Sequence, residues 1–291
     1  MDTEKAIRHW EETERLMHER NAGYEKDPST MRMDPFRLFG NLFYVGDKAV
    51  CSHLLDTGDG LILFDSGFPH AAAQLFERIT SLGFGLQDIK YVIHTHEHFD
   101  HFGATRRLQA RYGCKTFIHE YGAATFRLYP HHTELQSARS PEASLFIPDS
   151  EFSDGDVIRL GEAEILCVHT PGHSAGSTTF FFTVEEDGRV LRVGLCGVNG
   201  LLTLHPGRLL KYGIPLSAGE DYLASIERIR TESVDIALDT HPRLGGVIER
   251  RASMVERPGT NPFIDRDAWR DNLDEYRARY LESRESLVGK I

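Results

Sequence analysis

Short apolar runs broken by polar turns dominate two stretches of the chain, while helical spacing of apolar residues marks the segments beside them. Runs of this length between glycine-containing turns are typical of β-strands. The first stretch predicts strands at 36–39, 42–45, 50–55, 61–64, 91–93 and 115–118, and the second predicts strands at 157–160, 163–169, 177–184, 190–196 and 234–238. Helical spacing predicts helices at 4–21, 71–82, 104–112, 120–128, 220–230 and 267–283.

Strands and helices thus follow one another in two similar halves, which favours an α+β fold. The expected architecture is a four-layer αββα sandwich whose two sheets deliver their loops to one edge. We expect an N-terminal helical extension over residues 1–34, followed by one domain over residues 35–291 that closes with a C-terminal helix. The extension is expected to pack on the domain or on a partner, which leaves a homodimer open.

Composition narrows the classes of partner. The chain has 291 residues, of which 40% are hydrophobic and 26% charged, as in ordinary globular proteins. Its formal net charge of −11 argues against a nucleic-acid-binding surface and against an anionic membrane surface, both of which call for basic patches. The expected partner is a small-molecule substrate.

The cysteines and the N-terminus bear on the compartment. The four cysteines are widely spaced in apolar surroundings, which is typical of core residues and not of a disulfide framework. The N-terminal segment is highly charged and lacks the pattern of a signal peptide, and no apolar run is long enough to span a membrane. We therefore expect a cytoplasmic protein.

A histidine-rich loop follows the predicted strand at 91–93. Within eight residues it contains His94, His96, His98, Asp100 and His101. Neutral imidazole and carboxylate are good ligands for zinc and similar metals, and loops at strand ends are where α/β proteins place chemistry. These residues favour a metal site over a polar loop.

Two isolated histidines can complete such a site. His173 projects from the turn at 170–177, and His241 follows the strand at 234–238. Alternation along an extended loop can point His96 and His98 to one side, while Asp100 and His101 point elsewhere. This pattern predicts two half-sites a few ångströms apart, and His94 is left over for packing or support.

The segments 95–101, 170–173 and 240–242 together resemble the metallo-β-lactamase superfamily, over roughly residues 35–262. The resemblance implies the αββα sandwich of that family and a dinuclear zinc centre. The implied ligands of the two Zn²⁺ ions are His96, His98 and His173 for the first and Asp100, His101 and His241 for the second. It also identifies Asp65 with the structural aspartate that supports the metal loop, although spacing alone allows a turn-capping role equally well.

The absence of one aspartate narrows the choice among branches of this superfamily. Members of the glyoxalase II and acyl-homoserine-lactonase types usually add an aspartate that bridges both metals, from the end of the strand after the 170–173 turn. Here that strand ends in Cys196-Gly197-Val198-Asn199, and no aspartate occurs between Asp187 and Asp221. The pattern resembles the lactamase subclass with His/His/His and Asp/His/His zinc sites.

This resemblance implies metal-assisted hydrolysis without a protein nucleophile. Two zinc ions lower the pKa of a bridging water toward neutrality, and the resulting hydroxide attacks a carbonyl carbon. Asp100 is the expected catalytic residue, which orients the hydroxide and passes a proton to the leaving group. Candidate substrates are β-lactams or other cyclic amides, lactones and esters. Ser174 and Ser177 are expected to serve the turn.

Four residues that follow the predicted strand at 190–196 are candidates for substrate binding: Asn199, Arg208, Lys211 and Tyr212. For Arg208 or Lys211 alone, a solvated loop charge is the alternative. The long irregular segment 129–150 is typical of a lid or substrate-binding loop, in which His131 and His132 either face the site or lie exposed.

Three other functions use the same residues. A lactonase or thioester hydrolase of glyoxalase-like type shares the metals and differs in the pocket. A nuclease or phosphodiesterase is disfavoured by the acidic composition and by the lack of the extra domain that such nucleases carry. A non-hydrolytic metal-binding or redox protein is the third. An iron-loaded member of this fold would normally carry bridging carboxylates and often a flavodoxin partner, and the sequence shows neither.

Overall fold

The structure is a computed structural model that describes residues 2–138, 145–198 and 200–288. The helices in these residues are α1 (Thr3–Lys26), α2 (Ala72–Ser81), α3 (Thr105–Tyr112), α4 (Glu120–Leu128), α5 (Pro206–Tyr212), α6 (Ala218–Ile229), α7 (Val247–Glu256) and α8 (Ala268–Val288). The strands are β1 (Phe36–Phe39), β2 (Leu42–Tyr44), β3 (His53–Asp56), β4 (Leu61–Phe64), β5 (Ile89–Ile93), β6 (Lys115–His119), β7 (Ser150–Phe152), β8 (Val157–Leu160), β9 (Ala163–His169), β10 (Thr178–Glu186), β11 (Arg189–Cys196) and β12 (Ile236–Asp239).

These strands form two sheets. The first has seven strands in the order β1 to β7, and the second has five strands in the order β12-β11-β10-β9-β8. Strands β1 to β4 pair antiparallel, as short turns between them allow, whereas β4 to β7 pair parallel because helices connect them. In the second sheet β12 is parallel to β11, and the other neighbours are antiparallel.

Aromatic side chains fill the space between the sheets. Phe64 of β4 stacks on Phe182 of β10 with the ring centroids 5.1 Å apart, and Phe180 lies 5.7 Å from the same ring. All three are buried, and burying one phenylalanine stabilises a fold by about 1.5–3 kcal/mol. The inward-facing residues of both sheets therefore form one central core.

Helices cover the outer face of each sheet. Leu75 and Ile79 of α2 pack with Leu63 on the first sheet, and Ile226 of α6 and Trp269 of α8 belong to the cluster on the second. The layers run helix, sheet, sheet, helix. The structure thus confirms the α+β sandwich expected from the sequence.

Three elements were not predicted, and the strand predicted at 50–55 begins three residues later. These are helix α5, helix α7 and strand β7, of seven, ten and three residues. Helix α5 is about two turns long, which is too short for a clear periodic pattern. The strand expected at 50–55 begins at His53, because the Asp47 carboxylate accepts hydrogen bonds from the backbone N–H groups of Ala49 and Val50 and holds a turn there.

Helix α1 is longer than the predicted 4–21 and packs on the domain. Ala6 and Trp10 are buried against α5, where Gly207 lets the two backbones approach closely. A side chain at Gly207 would overlap the carbonyl oxygen of Ala6. The extension is therefore seated on the body of the protein at α5.

Two further sequence observations can be compared with the structure. All four cysteines are buried and free, in agreement with their prediction as core residues. Among the described residues, no helix combines the length and the apolar character needed to cross a bilayer.

Candidate metal centre

The histidines predicted to bind metal converge from both sheets. The loop after β5 carries His96, His98, Asp100 and His101, the turn between β9 and β10 carries His173, and the segment after β12 carries His241. They form two groups, His96/His98/His173 and Asp100/His101/His241. Within each group, the candidate ligand atoms lie within 4.8 Å of one another.

The first group is a buried triangle of imidazole nitrogens. His173 Nε2 lies 3.2 Å from His96 Nε2 and 3.1 Å from His98 Nδ1. The rings of His96 and His98 are nearly perpendicular, with an interplanar angle of 88°. Three nitrogens thus face one shared point.

Hydrogen bonds on the far sides of the rings determine which nitrogens carry protons. His173 Nδ1 donates to the carbonyl oxygen of Gly200 at 2.9 Å, which leaves a lone pair on Nε2. The Thr95 hydroxyl donates to Asp65 Oδ2 at 2.6 Å, so its oxygen is free to accept from His96 Nδ1 at 3.0 Å. The Nε2 atoms of His96 and His173 therefore both carry lone pairs, and these lone pairs face each other. A cation bound by both nitrogens fits this arrangement.

The second group has the same construction. His101 Nδ1 donates to Asp65 Oδ2 at 2.9 Å, and His241 Nδ1 donates to the carbonyl oxygen of Ala49 at 2.9 Å. The Nε2 atoms of these rings lie 3.4 Å and 3.8 Å from Asp100 Oδ2. His101 Nε2 is buried and has no hydrogen-bond partner. Two imidazoles and a carboxylate are a donor set that fits zinc.

Burial sets the charge of the first group. It lowers the pKa of His173 to about 3 and holds the pKa values of His96 and His98 well below the usual range. These three imidazoles are therefore neutral, and neutral imidazole is the form that binds metal.

The second group is more polar. Burial by itself raises the pKa of Asp100, but the imidazoles of His101 and His241 outweigh burial and lower that pKa. Burial also opposes protonation of His101, yet the carboxylates of Asp100 and Asp65 raise its pKa to about 10. This excess of negative charge attracts a cation, and a metal ion there would replace the proton of His101.

Asp65 supports both groups. It sits in the left-handed region with φ of +56°, which aspartate tolerates better than most residues. Besides His101 and the Thr95 hydroxyl, its carboxylate accepts the backbone N–H of Thr95 at 2.8 Å. These contacts favour a role in orienting the ligands over a turn-capping role.

Glu97 lies inside the histidine motif, where the sequence pattern predicts no role for it. Its buried carboxylate accepts hydrogen bonds from the Ser174 hydroxyl at 2.8 Å and from the backbone N–H of Gly176 at 3.2 Å. Burial raises the pKa of Glu97, and these bonds oppose that effect. Glu97 therefore ties the loop after β5 to the turn that carries His173, and Ser174 serves the turn as expected.

Asp239 is a second residue near the site for which the sequence predicted no role. It ends β12 and is buried, and its carboxylate accepts hydrogen bonds from the Tyr276 hydroxyl at 2.5 Å and from the backbone N–H of His241 at 3.2 Å. Burial raises the pKa of Asp239 to about 7. The residue connects α8 to the segment that carries His241. An acidic residue at the end of a buried strand was the available signal.

His94 is directed away from both groups. Its Nδ1 lies 2.9 Å from the carbonyl oxygen of Phe117, and its Nε2 lies 2.7 Å from the Thr105 hydroxyl. The ring also stacks on Phe146. His94 is thus part of the packing beneath the loop.

A cavity of about 440 Å³, here called the metal cavity, opens onto both groups. The ligand residues that line it are His96, His98, Asp100, His173 and His241. A side cavity of about 630 Å³ shares His98 and His173. Glu134 lines the metal cavity and Arg208 lines the side cavity, and a buried ion pair of 3.0 Å joins them. This pair stands where the two cavities meet.

The four candidate substrate-binding residues lie in different surroundings in the structure. Arg208 is buried and also donates to the Thr203 carbonyl oxygen at 3.1 Å, so it is not a solvated loop charge. Lys211 lies outside the lining of both cavities and pairs with Glu14 of α1 at 2.7 Å. Tyr212 lines the side cavity and also bonds to Glu14, and Asn199 lies outside the described residues.

The segment 129–150 is described except for residues 139–144. Its beginning packs on the metal loop, where the backbone N–H of Phe99 donates to the carbonyl oxygen of Thr133 at 2.9 Å. His132 lines the side cavity and its Nε2 donates to the carbonyl oxygen of Tyr212 at 2.9 Å, whereas His131 is exposed. Of the two histidines, His132 is the one that faces a cavity.

Comparison with known proteins decides the family. A model of the metallo-beta-lactamase superfamily matches residues 45–194, just over half of the 291 residues. The chain belongs to the metallo-beta-lactamase superfamily. It is accordingly a metal-dependent hydrolase, and the resemblance seen in the sequence is confirmed.

Solved structures of the superfamily place the chain close to subclass B3. MEM-A1, a subclass B3 metallo-beta-lactamase from a soil metagenome library, is 26% identical, with 90% of this chain and 99% of that chain covered and a TM-score of 0.75. FEZ-1 metallo-beta-lactamase from Legionella gormanii is 23% identical, with 88% and 97% covered and a TM-score of 0.77, which shows a shared fold.

A curated relative represents another branch of the superfamily. Hydroxyacylglutathione hydrolase GloC of Haemophilus influenzae is 28% identical over 146 residues, which is 50% of this chain. The chain spans 64% of the length of that relative, less than two thirds.

Proposed function

We propose that this superfamily member is a dinuclear zinc hydrolase that acts on the carbonyl group of a cyclic amide, lactone or ester, with β-lactams among the candidates. One observation carries the proposal. The structure contains two adjacent groups of three candidate ligand atoms, and within each group these atoms lie within 4.8 Å of one another. Among the described residues, no carboxylate belongs to both groups. Hydrogen bonds to Gly200, Asp65 and Ala49 hold the imidazoles with their lone pairs facing inward.

Zinc ions held there would lower the pKa of coordinated water toward neutrality and polarise a carbonyl oxygen. The chain supplies the rest. Asp100, the carboxylate of the second group, lines the metal cavity, where it can orient the attacking water and accept a proton from it. That proton can then pass to the leaving group.

The hydrogen bonds of the two serines near the site favour attack by water over attack by a serine. The Ser174 hydroxyl donates to Glu97 and lies 2.9 Å from the Ser177 hydroxyl. No histidine is hydrogen-bonded to either hydroxyl among the described contacts, so neither serine has the base that a nucleophile needs.

The alternative is a lactonase or thioester hydrolase of glyoxalase-like type. The similarity to a Haemophilus hydroxyacylglutathione hydrolase favours it. The lack of a shared carboxylate between the two groups favours the lactamase-like branch instead, as does the likeness to subclass B3 structures. A cytoplasmic location remains part of the proposal, and four free, buried cysteines fit a reducing compartment.

Metal content and turnover test the proposal together. The purified protein is assayed for zinc and for hydrolysis of a β-lactam, a lactone, a thioester and a phosphodiester. We expect two zinc ions per chain and turnover of a lactam or lactone. His96→Ala and His241→Ala should each lose at least one ion and reduce kcat by about 100-fold or more, since each removes a ligand.

His131→Ala is the matched control, because this exposed histidine lies outside both groups. It should keep full metal content and activity. A metal-free protein whose turnover survives both ligand substitutions would overturn the proposal, and turnover of the thioester alone would favour the alternative.

A further inference from the structure

Helix α1 forms one wall of the metal cavity. Met17, Arg20, Asn21 and Tyr24 line it together with the candidate metal ligands. Their spacing of three and four residues places them on one face of the helix. The superfamily match begins at residue 45, so this wall lies outside the matched segment.

The wall is held firmly by the preceding turns of the helix. The Glu14 carboxylate accepts hydrogen bonds from Lys211 and Tyr212 on α5. His205 Nδ1 accepts the backbone N–H of Gly207, so its Nε2 donates to His9 Nδ1 at 2.9 Å. Because these contacts seat the first half of α1, the face at 17–24 has a fixed position over the cavity.

Basic side chains collect around this cavity. Arg20, Lys48, Arg243 and Arg279 line it. Arg279 pairs with Glu275 at 2.5 Å. Arg20, Lys48 and Arg243 are exposed side chains, and the described part of the chain shows no ion pair for them. In a chain with a net charge of −11, this concentration of unpaired positive charge attracts anions.

The acidic residues of the cavity do not cancel that charge. The lining includes two carboxylates, Asp100 and Glu134. Asp100 faces His101 and His241, and Glu134 is bound to Arg208. Both are therefore occupied by partners of their own, and the three unpaired cations are left to interact with a ligand.

Asn21 provides an independent sign of a ligand. Its side chain is only 7% exposed and lines the metal cavity, and its Oδ1 has no hydrogen-bond partner. Buried polar atoms are normally paired. An anion needs a donor, which this amide supplies when its NH₂ group is turned toward the cavity.

We infer that Arg20 and Asn21 of α1, with Lys48 and Arg243, bind an anionic group of the substrate while its carbonyl group lies at the metal ligands. This inference rests on the proposed hydrolase function. Arginine pairs well with carboxylate or phosphate oxygens. The remaining lining includes Met17, Tyr24, Phe68, Leu201 and Leu202, so the substrate class is an acyl compound with an apolar body and an acidic group.

Matched substrates test the inference. A substrate found active in the panel is compared in its free carboxylate form and as its neutral methyl ester. For Arg20→Met we expect KM to rise about tenfold for the carboxylate, with kcat within twofold and the ester unchanged, because only binding of the charge is lost. Arg20→Lys should restore part of the difference. An equal change for both forms would overturn the inference.

A binding experiment separates this inference from the hydrolase proposal. The zinc-loaded protein is titrated with phenylacetate and with inorganic phosphate by calorimetry. Arg20→Met and Asn21→Leu should each weaken binding of the favoured anion about tenfold. Arg8→Met is the control, because Arg8 lies on the same helix, pairs with Glu4 and is exposed.

The outcomes are distinct. Loss of anion binding in Arg20→Met but not in Arg8→Met supports the inference even if no substrate of the panel is hydrolysed. Tighter binding of phenylacetate indicates a carboxylate substrate, and tighter binding of phosphate indicates a phosphorylated one. Equal affinities in the two variants, or no binding of either anion to the wild type, would overturn it.

Discussion

Asp65 shows how one side chain can orient several candidate metal ligands. Its Oδ2 accepts from His101 Nδ1 and from the Thr95 hydroxyl, and that hydroxyl oxygen in turn faces His96 Nδ1. A single carboxylate therefore fixes the tautomer of one histidine in each group. Acceptors of this kind raise ligand basicity and hold ring orientation.

Asp65→Asn tests this role. Asparagine also tolerates the left-handed backbone at φ of +56°, so the substitution changes the charge and not the turn. We expect zinc affinity to fall about 10–100-fold, because an amide oxygen is a weaker acceptor and the amide NH₂ cannot accept at all. Competition with a chelator measures the change.

Asp59→Asn is its control, since Asp59 is an exposed turn residue. Both variants should show similar thermal unfolding in the metal-free state. Unchanged zinc affinity in Asp65→Asn would show that Asp65 merely caps the turn.

At the residue scale, the sequence predicts which side chains converge where the chain itself carries the information, and the structure brings these residues into two groups. The types and order of His96, His98 and His101, with His173 and His241 at later strand ends, indicate a metal site without any coordinates. Contacts between distant segments are different. Glu97 meets Ser174, 77 positions later in the sequence, and no local pattern reveals such a pairing.

The contact between α1 and α5 is the most informative at the scale of elements. Gly207 is required because the backbone of α1 passes directly over it. Trp10 is buried in the same contact, with 2% of its surface exposed. This close approach places the cavity-lining face of α1.

Gly207→Ala should loosen that contact. The added methyl group overlaps the Ala6 carbonyl oxygen, so one backbone must shift at a cost of about 1–3 kcal/mol. We expect a lower free energy of unfolding and faster proteolytic cleavage within α1. Chemical denaturation and limited proteolysis measure these effects.

Gly23→Ala provides a control of opposite sign. A Cβ at Gly23 meets no atom within 4 Å, and alanine favours the helix by about 0.5–1 kcal/mol over glycine. This variant should be slightly more stable than the wild type. If Gly207→Ala were equally harmless, the helices would not be in close contact in solution.

Elements were predictable where their pattern was long. Helices α6 and α8 and strands β9 to β11 agree with the predicted segments to within a few residues. Helix α5 escaped notice because it has seven residues, although Pro206 at its start and Gly213 after its end are ordinary boundary signals. Its position under α1 depends on tertiary packing that sequence periodicity does not carry.

Buried neutral histidines make the stability of the whole molecule depend on pH. Burial lowers the pKa of His53 to about 4, and the same holds for His205. In the unfolded chain these rings bind a proton near pH 6.5. Between these values the unfolded state holds more protons, so stability falls as pH falls from about 6.5 to about 4.

We therefore expect the free energy of unfolding to decrease as the pH falls from about 6.5 to about 4. The lowered pKa of His53 accounts for a loss on the order of 3 kcal/mol over this range, because the ring takes up a proton only in the unfolded state. Denaturant titrations at several pH values measure the slope. His53→Leu should reduce the slope by up to one proton, because leucine cannot bind one. An identical slope in the variant would show that His53 titrates normally in the fold.

The ligand groups each draw on both halves of the sandwich. His96 and His98 follow a strand of the first sheet, and His173 lies in the second; Asp100 and His101 are likewise completed by His241. In the proposed zinc centre, a chain in which only the first sheet has formed offers each ion two ligands in place of three. High-affinity zinc binding would then require that both sheets have docked. The metal content of a preparation would thus report the fraction of molecules that are correctly assembled, a quality check that needs no substrate.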